Sequence, residues 1–288
     1  MSRHKNRKRV KKWELRVIVA LMVTVILFIP TNLPLGQTAG KIEAPTTNKD
    51  MPPSLKHVGK KAEFPHKVLS GSTIKKELEN VTPKEELQLD GKSIFLTFDD
   101  GPNNATEALL DVLSKYDATA TFFMLEPLIK KNDELVRRMM EEGHSLALHG
   151  VTHDQHLFYA SKQSVLDEMN RTQKAIRDIT GKDSNLIRTP YGSMPHMTPE
   201  YIMAIEKEGY LMWDWNVDSM DWYYRGEDYV DETMQQIRQL EESDITPIVL
   251  LHDLVTTVEY LPQLLDTLID KGYTFKGLTE EMQPVQFQ

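Results

Sequence analysis

From Gly91 onward the chain alternates short, continuous apolar runs with longer segments whose apolar positions recur every three or four residues. The short runs are Ser93–Phe98 (SIFLTF), Ala118–Met124 (ATATFFM), Ser145–Leu148, Leu186–Arg188, Tyr210–Val217, Ile248–Leu251 and Tyr273–Phe275. Such runs predict strands covered on both faces. Between them, Leu109, Leu110 and Leu113 mark one face of a helix over Thr106–Tyr116. Further helices are predicted over Asp133–Glu142, Ser164–Thr180, Pro199–Glu208, Tyr229–Leu240 and Val258–Asp270. Gly143, Gly181, Gly209 and Gly272 stand where four of these should stop. Strict strand–helix alternation predicts an α/β fold with a parallel sheet and right-handed crossovers. About seven such units predict a closed or nearly closed (β/α) barrel, whose functional groups collect at the C-terminal ends of its strands.

The first 89 residues follow another pattern. A basic stretch, residues 1–16, abuts the apolar run Val17–Pro30 (VIVALMVTVILFIP), and no charge occurs from Val17 to Gly40. A spanning helix needs about 20 predominantly apolar residues, and a signal h-region roughly 7–15. The run is intermediate, and no clean cleavage site follows it. Residues 17–36 are therefore expected to form an uncleaved transmembrane anchor, with a removed signal segment as the alternative. Either way the basic flank stays in the cytoplasm and the rest faces outward. The expected location is thus the cell membrane, single-pass, with an extracellular domain, or secretion if the segment is cut. Residues 37–89 include APTTNKDMPPS and read as a flexible linker too poor in large apolar residues to fold alone. Residues 90–288 form the predicted domain.

Charge separates the same two regions. Residues 1–89 hold 17 Lys+Arg against 8 Asp+Glu, whereas residues 90–288 hold 17 against 35. An acidic domain is a poor match for a phosphate backbone, so no nucleic-acid partner is expected. The chain has no cysteine, so a metal site must use His, Asp or Glu. Oligomeric state is not legible.

Five stretches just after the predicted strands carry the candidate chemistry: TFDDGP (Thr97–Pro102), HGVTH (His149–His153), RTPYGS (Arg188–Ser193), DSMDW (Asp218–Trp222) and LLHD (Leu250–Asp253). Asp99 and Asp100 are adjacent where Gly101-Pro102 forces a turn, which re-aims two carboxylates or simply caps a helix. His149 and His153 are four apart, which on a helical turn puts both imidazoles on one face. They are either a hydrogen-bonded pair or, with a carboxylate from another strand end, a His2Asp site open to water and substrate. Arg188 is a surface arginine before a turn or a guanidinium fixing a carboxylate. Trp222 is either core or the wall of a small apolar pocket. His252 is structural or a general acid with a pKa near neutrality. His144, His156 and His196 are expected to be structural or surface residues.

In this order the five stretches resemble the motifs of the polysaccharide deacetylases of carbohydrate esterase family 4, the NodB-homology domain, over about Gly91–Gly277. The resemblance implies a distorted (β/α) barrel and a divalent metal, usually Zn2+, with Co2+, Ni2+ and Mn2+ as other ions the donors accept. It implies metal ligation by Asp100, His149 and His153. It makes Asp99 the catalytic base, tethered by Arg188, and His252 the general acid, oriented by Asp221. The Tyr191 backbone N–H would face the oxyanion, while Trp222 and Leu250 would line the acetyl-methyl pocket. The family usually has Ser or Thr after the first histidine, where its hydroxyl steadies the loop. Gly150 stands there in this chain, and Thr152 is the candidate substitute. The implied activity is hydrolysis of the N-acetyl group of N-acetylglucosamine in cell-wall peptidoglycan. Alternatives are a poly-N-acetylglucosamine or chitin-like glycan, N-acetylmuramic acid as the target sugar, or a non-catalytic glycan-binding role.

Overall fold

The structure is a computed structural model, and it describes residues 92–287. The expected basic tail, membrane segment and linker lie outside the described residues. Among the described residues no helix is long and apolar enough to cross a membrane.

The chain opens with β1 (Lys92–Gly101), α1 (Thr106–Lys115), β2 (Thr121–Leu125), α2 (Glu126–Lys131), α3 (Asp133–Glu141) and β3 (Ser145–Gly150). It continues through α4 (Gln155–Phe158), α5 (Lys162–Thr180), β4 (Leu186–Ile187), α6 (Pro199–Lys207), β5 (Leu211–Met212) and β6 (Val217–Asp218). It ends with α7 (Asp221–Tyr224), α8 (Asp228–Glu241), β7 (Ile248–His252), α9 (Val255–Asp270) and β8 (Tyr273–Phe275). The sheet runs β5-β4-β3-β2-β1-β7-β6, with β8 paired to the start of β1. Every pairing is parallel, as the alternation predicted.

Tyr210–Val217 is not the single strand its apolar pattern predicted. It splits into β5 and β6, which lie at opposite edges of the sheet, joined by Trp213–Asn216 with no intervening helix. Four residues span at most about 17 Å between the flanking residues even when fully extended. The two edges must therefore approach each other, which curls the seven-strand sheet into a half-barrel. Side chains decide the split. Trp213 is fully buried in the interior, and Asn216 turns the chain by accepting from Ile248 N–H at 2.7 Å through its side-chain oxygen.

Alternation along the strands separates two cores. Ile94, Leu96 and Phe98 of β1 face outward with Leu109, Leu110 and Leu113 of α1 and Phe122 and Met124 of β2. Phe95 faces inward with Phe123, Ala147, Leu186, Trp213, Ile248 and Leu278. Counting by twos from these inner residues reaches Thr97 and Asp99 on β1, His149 on β3, Arg188 after β4, and Leu250 and His252 on β7. The same pleat that fills the base with apolar side chains therefore delivers polar ones to the mouth.

After β8 the chain passes under the sheet. Leu278 N–H donates to Thr121 Oγ1 (2.8 Å), and Ser145 Oγ donates to the Leu278 carbonyl (2.8 Å). Asp214 N–H then donates to the Val285 carbonyl (2.7 Å), and Phe287 N–H donates to Asp214 Oδ2 (2.8 Å). Leu278, Met282 and Val285 complete the inner cluster from below.

Candidate active site

β1 does not end smoothly. Its register against β2 slips between Asp99 and Gly101, and Asp100 takes φ +70°. This irregularity separates two neighbouring carboxylates. Asp99 stays on the inner face and is buried, while Asp100 swings toward the histidines.

Asp100 Oδ1 lies 3.5 Å from His149 Nε2 and 3.3 Å from His153 Nε2. One ligand atom from each of the three residues falls within 4.8 Å of the others. His149 Nδ1 meets the Arg188 carbonyl at 2.8 Å, so this nitrogen carries the proton and Nε2 presents its lone pair to Asp100. Burial pushes the His149 pKa down to about 3, which keeps the ring neutral. Asp100 Oδ1 is buried yet accepts no hydrogen bond. These features fit a divalent ion. Ligands sharing a tetrahedral ion at Zn–N and Zn–O distances near 2.0–2.1 Å are about 3.3 Å apart. A shared cation would also satisfy the buried oxygen.

The histidine spacing works, but not through the helical turn it suggested. His149 belongs to β3, Gly150 has φ +101°, and His153 has φ +47°. A bend therefore brings the two rings to a centroid separation of 5.2 Å. His153 also faces the Tyr191 ring at 4.8 Å, and Tyr191 Oη donates to the His153 carbonyl at 2.9 Å.

Arg188 is fully buried, not a surface arginine. Its Nη1 donates to Asp99 Oδ1 (2.8 Å) and to Thr97 Oγ1 (2.7 Å), while Nη2 donates to the Asp214 carbonyl (3.0 Å). The guanidinium also stacks 4.1 Å above the Phe123 ring. Burial raises the Asp99 pKa above the usual carboxylate value, and the Arg188 charge and hydrogen bond counter only part of that rise. Asp99 Oδ2, away from the arginine, lies 3.8 Å from His149 Nε2.

His252 pairs in register with Asp99 across β1 and β7. Its Nδ1 is 2.8 Å from Asp221 Oδ1. Asp221 also accepts from the backbone N–H of His252 (2.7 Å) and Trp222 (2.8 Å) and from Thr257 Oγ1 (2.6 Å). Burial alone would lower the His252 pKa. The Asp221 hydrogen bond and charge, with Asp99 and Asp100 nearby, outweigh it and lift the value to about 9. Leu250 lies buried on the inner face of β7, beside Thr97 and Asp218 in register. Trp222 is half-buried in α7. His144 is structural, as expected, accepting from Ala120 N–H through Nδ1 (3.2 Å).

Several supporting residues escaped the sequence reading. Tyr159 Oη lies within hydrogen-bonding distance of the Pro190 (2.7 Å) and Gly192 (3.0 Å) carbonyls, bracing the turn that carries Tyr191. Asp214 holds the same turn through Ser193 N–H (2.9 Å) and Ser193 Oγ (2.5 Å). Glu168 holds the loop between the histidines. Only Thr97 left a signal, since counting by twos from Asp99 places it inward.

Comparison with known proteins points the same way. A family model described as polysaccharide deacetylase matches residues 86–212. The chain is 47% identical over 196 residues to a Bacillus subtilis protein named putative polysaccharide deacetylase YheN, covering 67% of this chain and 70% of that one. It is 36% identical over 224 residues to a Bacillus cereus peptidoglycan-N-acetylglucosamine deacetylase, covering 76% and 81%. Among solved structures it is similar to a polysaccharide deacetylase from Bacillus cereus, with a TM-score of 0.59 and 37% identity, covering 68% of this chain and 97% of that one.

Proposed function

This chain belongs to the polysaccharide deacetylase family, and from that premise we propose that it hydrolyses the N-acetyl group of N-acetylglucosamine in cell-wall peptidoglycan, releasing acetate. The observation that carries this reading is a buried, unsatisfied Asp100 oxygen within 3.5 Å of two imidazole nitrogens, flanked by an Asp99–Arg188 pair and a His252–Asp221 pair. Asp100, His149 and His153 would hold a divalent ion, for which we propose Zn2+. A bound divalent ion at that position supplies Lewis-acid polarisation of the amide carbonyl and lowers the pKa of water.

The remaining chemistry rests on the chain's own groups. Asp99 accepts the proton of the attacking water on Oδ2, while Arg188 occupies Oδ1 and fixes the carboxylate plane. The Tyr191 backbone N–H faces the developing oxyanion. An amine leaves poorly unless it is protonated, so His252 delivers a proton from Nε2 while Asp221 holds Nδ1–H. Trp222 and Leu250 border the acetyl methyl group and exclude water from it. His252, its pKa lifted to about 9, is protonated at neutral pH as its role requires.

We further propose that residues 17–36 anchor the protein in the cell membrane with the deacetylase domain outside, next to its polymer. The test is acetate release from purified cell wall and from N-acetylglucosamine oligomers, before and after chelation and zinc add-back. Mass spectrometry of wall fragments then locates the lost acetyl group. Release from wall that stops on chelation and returns with zinc supports the reading. Turnover of soluble oligomers with wall untouched rejects peptidoglycan as substrate, and acetyl loss on the muramic acid moves the target sugar. Zinc uptake without hydrolysis of either substrate leaves only glycan binding.

A further inference from the structure

Gly150 lacks the hydroxyl that the resembled motif places after its first histidine, and a side chain here would be strained. A Cβ at residue 150 would lie 3.0 Å from Phe158 Cε2 and 3.1 Å from Glu168 Oε2, at a φ of +101°. The loop from Gly150 to His153 therefore needs an anchor from outside itself. His153 holds φ +47°, a left-handed conformation that a non-glycine residue keeps only where surrounding contacts over-determine it.

Helix α5 supplies those contacts. Glu168 is buried, and its Oε2 accepts from Val151 N–H (2.8 Å) and Thr152 N–H (3.0 Å). Its Oε1 accepts from Thr152 Oγ1 (2.7 Å). One turn along the same face, the fully buried Thr172 shares its Oγ1 proton between the Gly150 carbonyl (2.8 Å) and the Glu168 carbonyl (2.9 Å). The two side chains thus grip successive peptide groups, a carbonyl and then two amides, immediately ahead of His153. Thr152, the expected substitute for the missing hydroxyl, acts through Glu168. We propose that Glu168 and Thr172 are positioning residues that hold His153 in place to share an ion with Asp100 and His149. In this chain the anchoring task has passed from residue 150 to helix α5. The inference rests on the metal reading above.

Its test is zinc affinity of the full-length protein, measured by competition with a chromogenic chelator, beside thermal unfolding of the metal-free protein. Glu168→Ala is expected to weaken zinc binding by about 10–100-fold, the range for residues that orient metal ligands, while the metal-free protein still unfolds cooperatively. Glu168→Gln is expected to stay within about threefold of wild type. Its amide oxygen still accepts both backbone N–H groups, and Thr152 Oγ1 can turn to accept from the NH2. Thr152→Val, which removes one of the three bonds to Glu168, is expected to cost about threefold or more. Wild-type-like affinity in Glu168→Ala, or Glu168→Gln as weak as Glu168→Ala, overturns the inference alone. Wild-type protein that takes up no zinc overturns it together with the metal reading. If Glu168→Ala does not fold, the other two variants decide. Weakened Thr152→Val beside intact Glu168→Gln supports the inference, and wild-type affinity in Thr152→Val overturns it.

Discussion

Arg188 serves both halves of the site from one position. Its carbonyl fixes the His149 tautomer, and its guanidinium fixes Asp99. Its residue type was legible, but its burial was not, because the partners Thr97 and the Asp214 carbonyl come from segments distant in sequence. The Asp99 assignment is tested directly. Asp99→Asn is expected to lower kcat by about 10²–10⁴ while zinc content stays unchanged, since only the proton acceptor is lost. Acetate release and metal analysis on one preparation check this. His252 gives a pH test. The general acid must be protonated, so its contribution is full below its pKa and lost as pH rises through about 9. Asp221→Asn withdraws the anion that stabilises the imidazolium, so the pKa falls. The alkaline limb of kcat/KM should move to lower pH by about 1–2 units. An unmoved limb would separate His252 from that proton transfer.

At the scale of elements, most strands and helices were written in the apolar pattern, because a two-sided parallel sheet and its covering helices each have one dominant period. The pattern failed where tertiary contacts set the backbone. In Tyr210–Val217 an aromatic-rich run hid a change of sheet edge. In His149–His153 the spacing does bring the two rings together, but through a bend and not a helical turn, since strand β3 ends in a bend held by α5. Short α2, α4 and α7 lacked enough turns for a period to show. The bend yields a counter-intuitive prediction. Gly150→Ser restores the residue usual in the family, yet it is expected to destabilise this protein by about 1–3 kcal/mol, through the positive φ and the contact with Phe158. Urea unfolding of the variant against wild type measures it.

Across the whole molecule, one buried carboxylate ties the base of the barrel to its mouth. Asp214, fully buried, receives Ser193 N–H and Oγ from the Tyr191 turn and Phe287 N–H from the C-terminal segment. Replacing it with Ala strands three donors and is expected to cost about 3 kcal/mol in equilibrium unfolding, with a fall in kcat as the Tyr191 turn loosens. The acidic balance of residues 90–288 was plain in the sequence, whereas this link was not, since nothing local tells a structural aspartate from a catalytic one. The path of Leu278–Phe287 has a temporal consequence. A chain synthesised from its amino end releases every stave of the barrel before the stretch that stoppers its floor, so the finished interior waits for residues made after the whole catalytic set. Until then the inner apolar cluster stays wet.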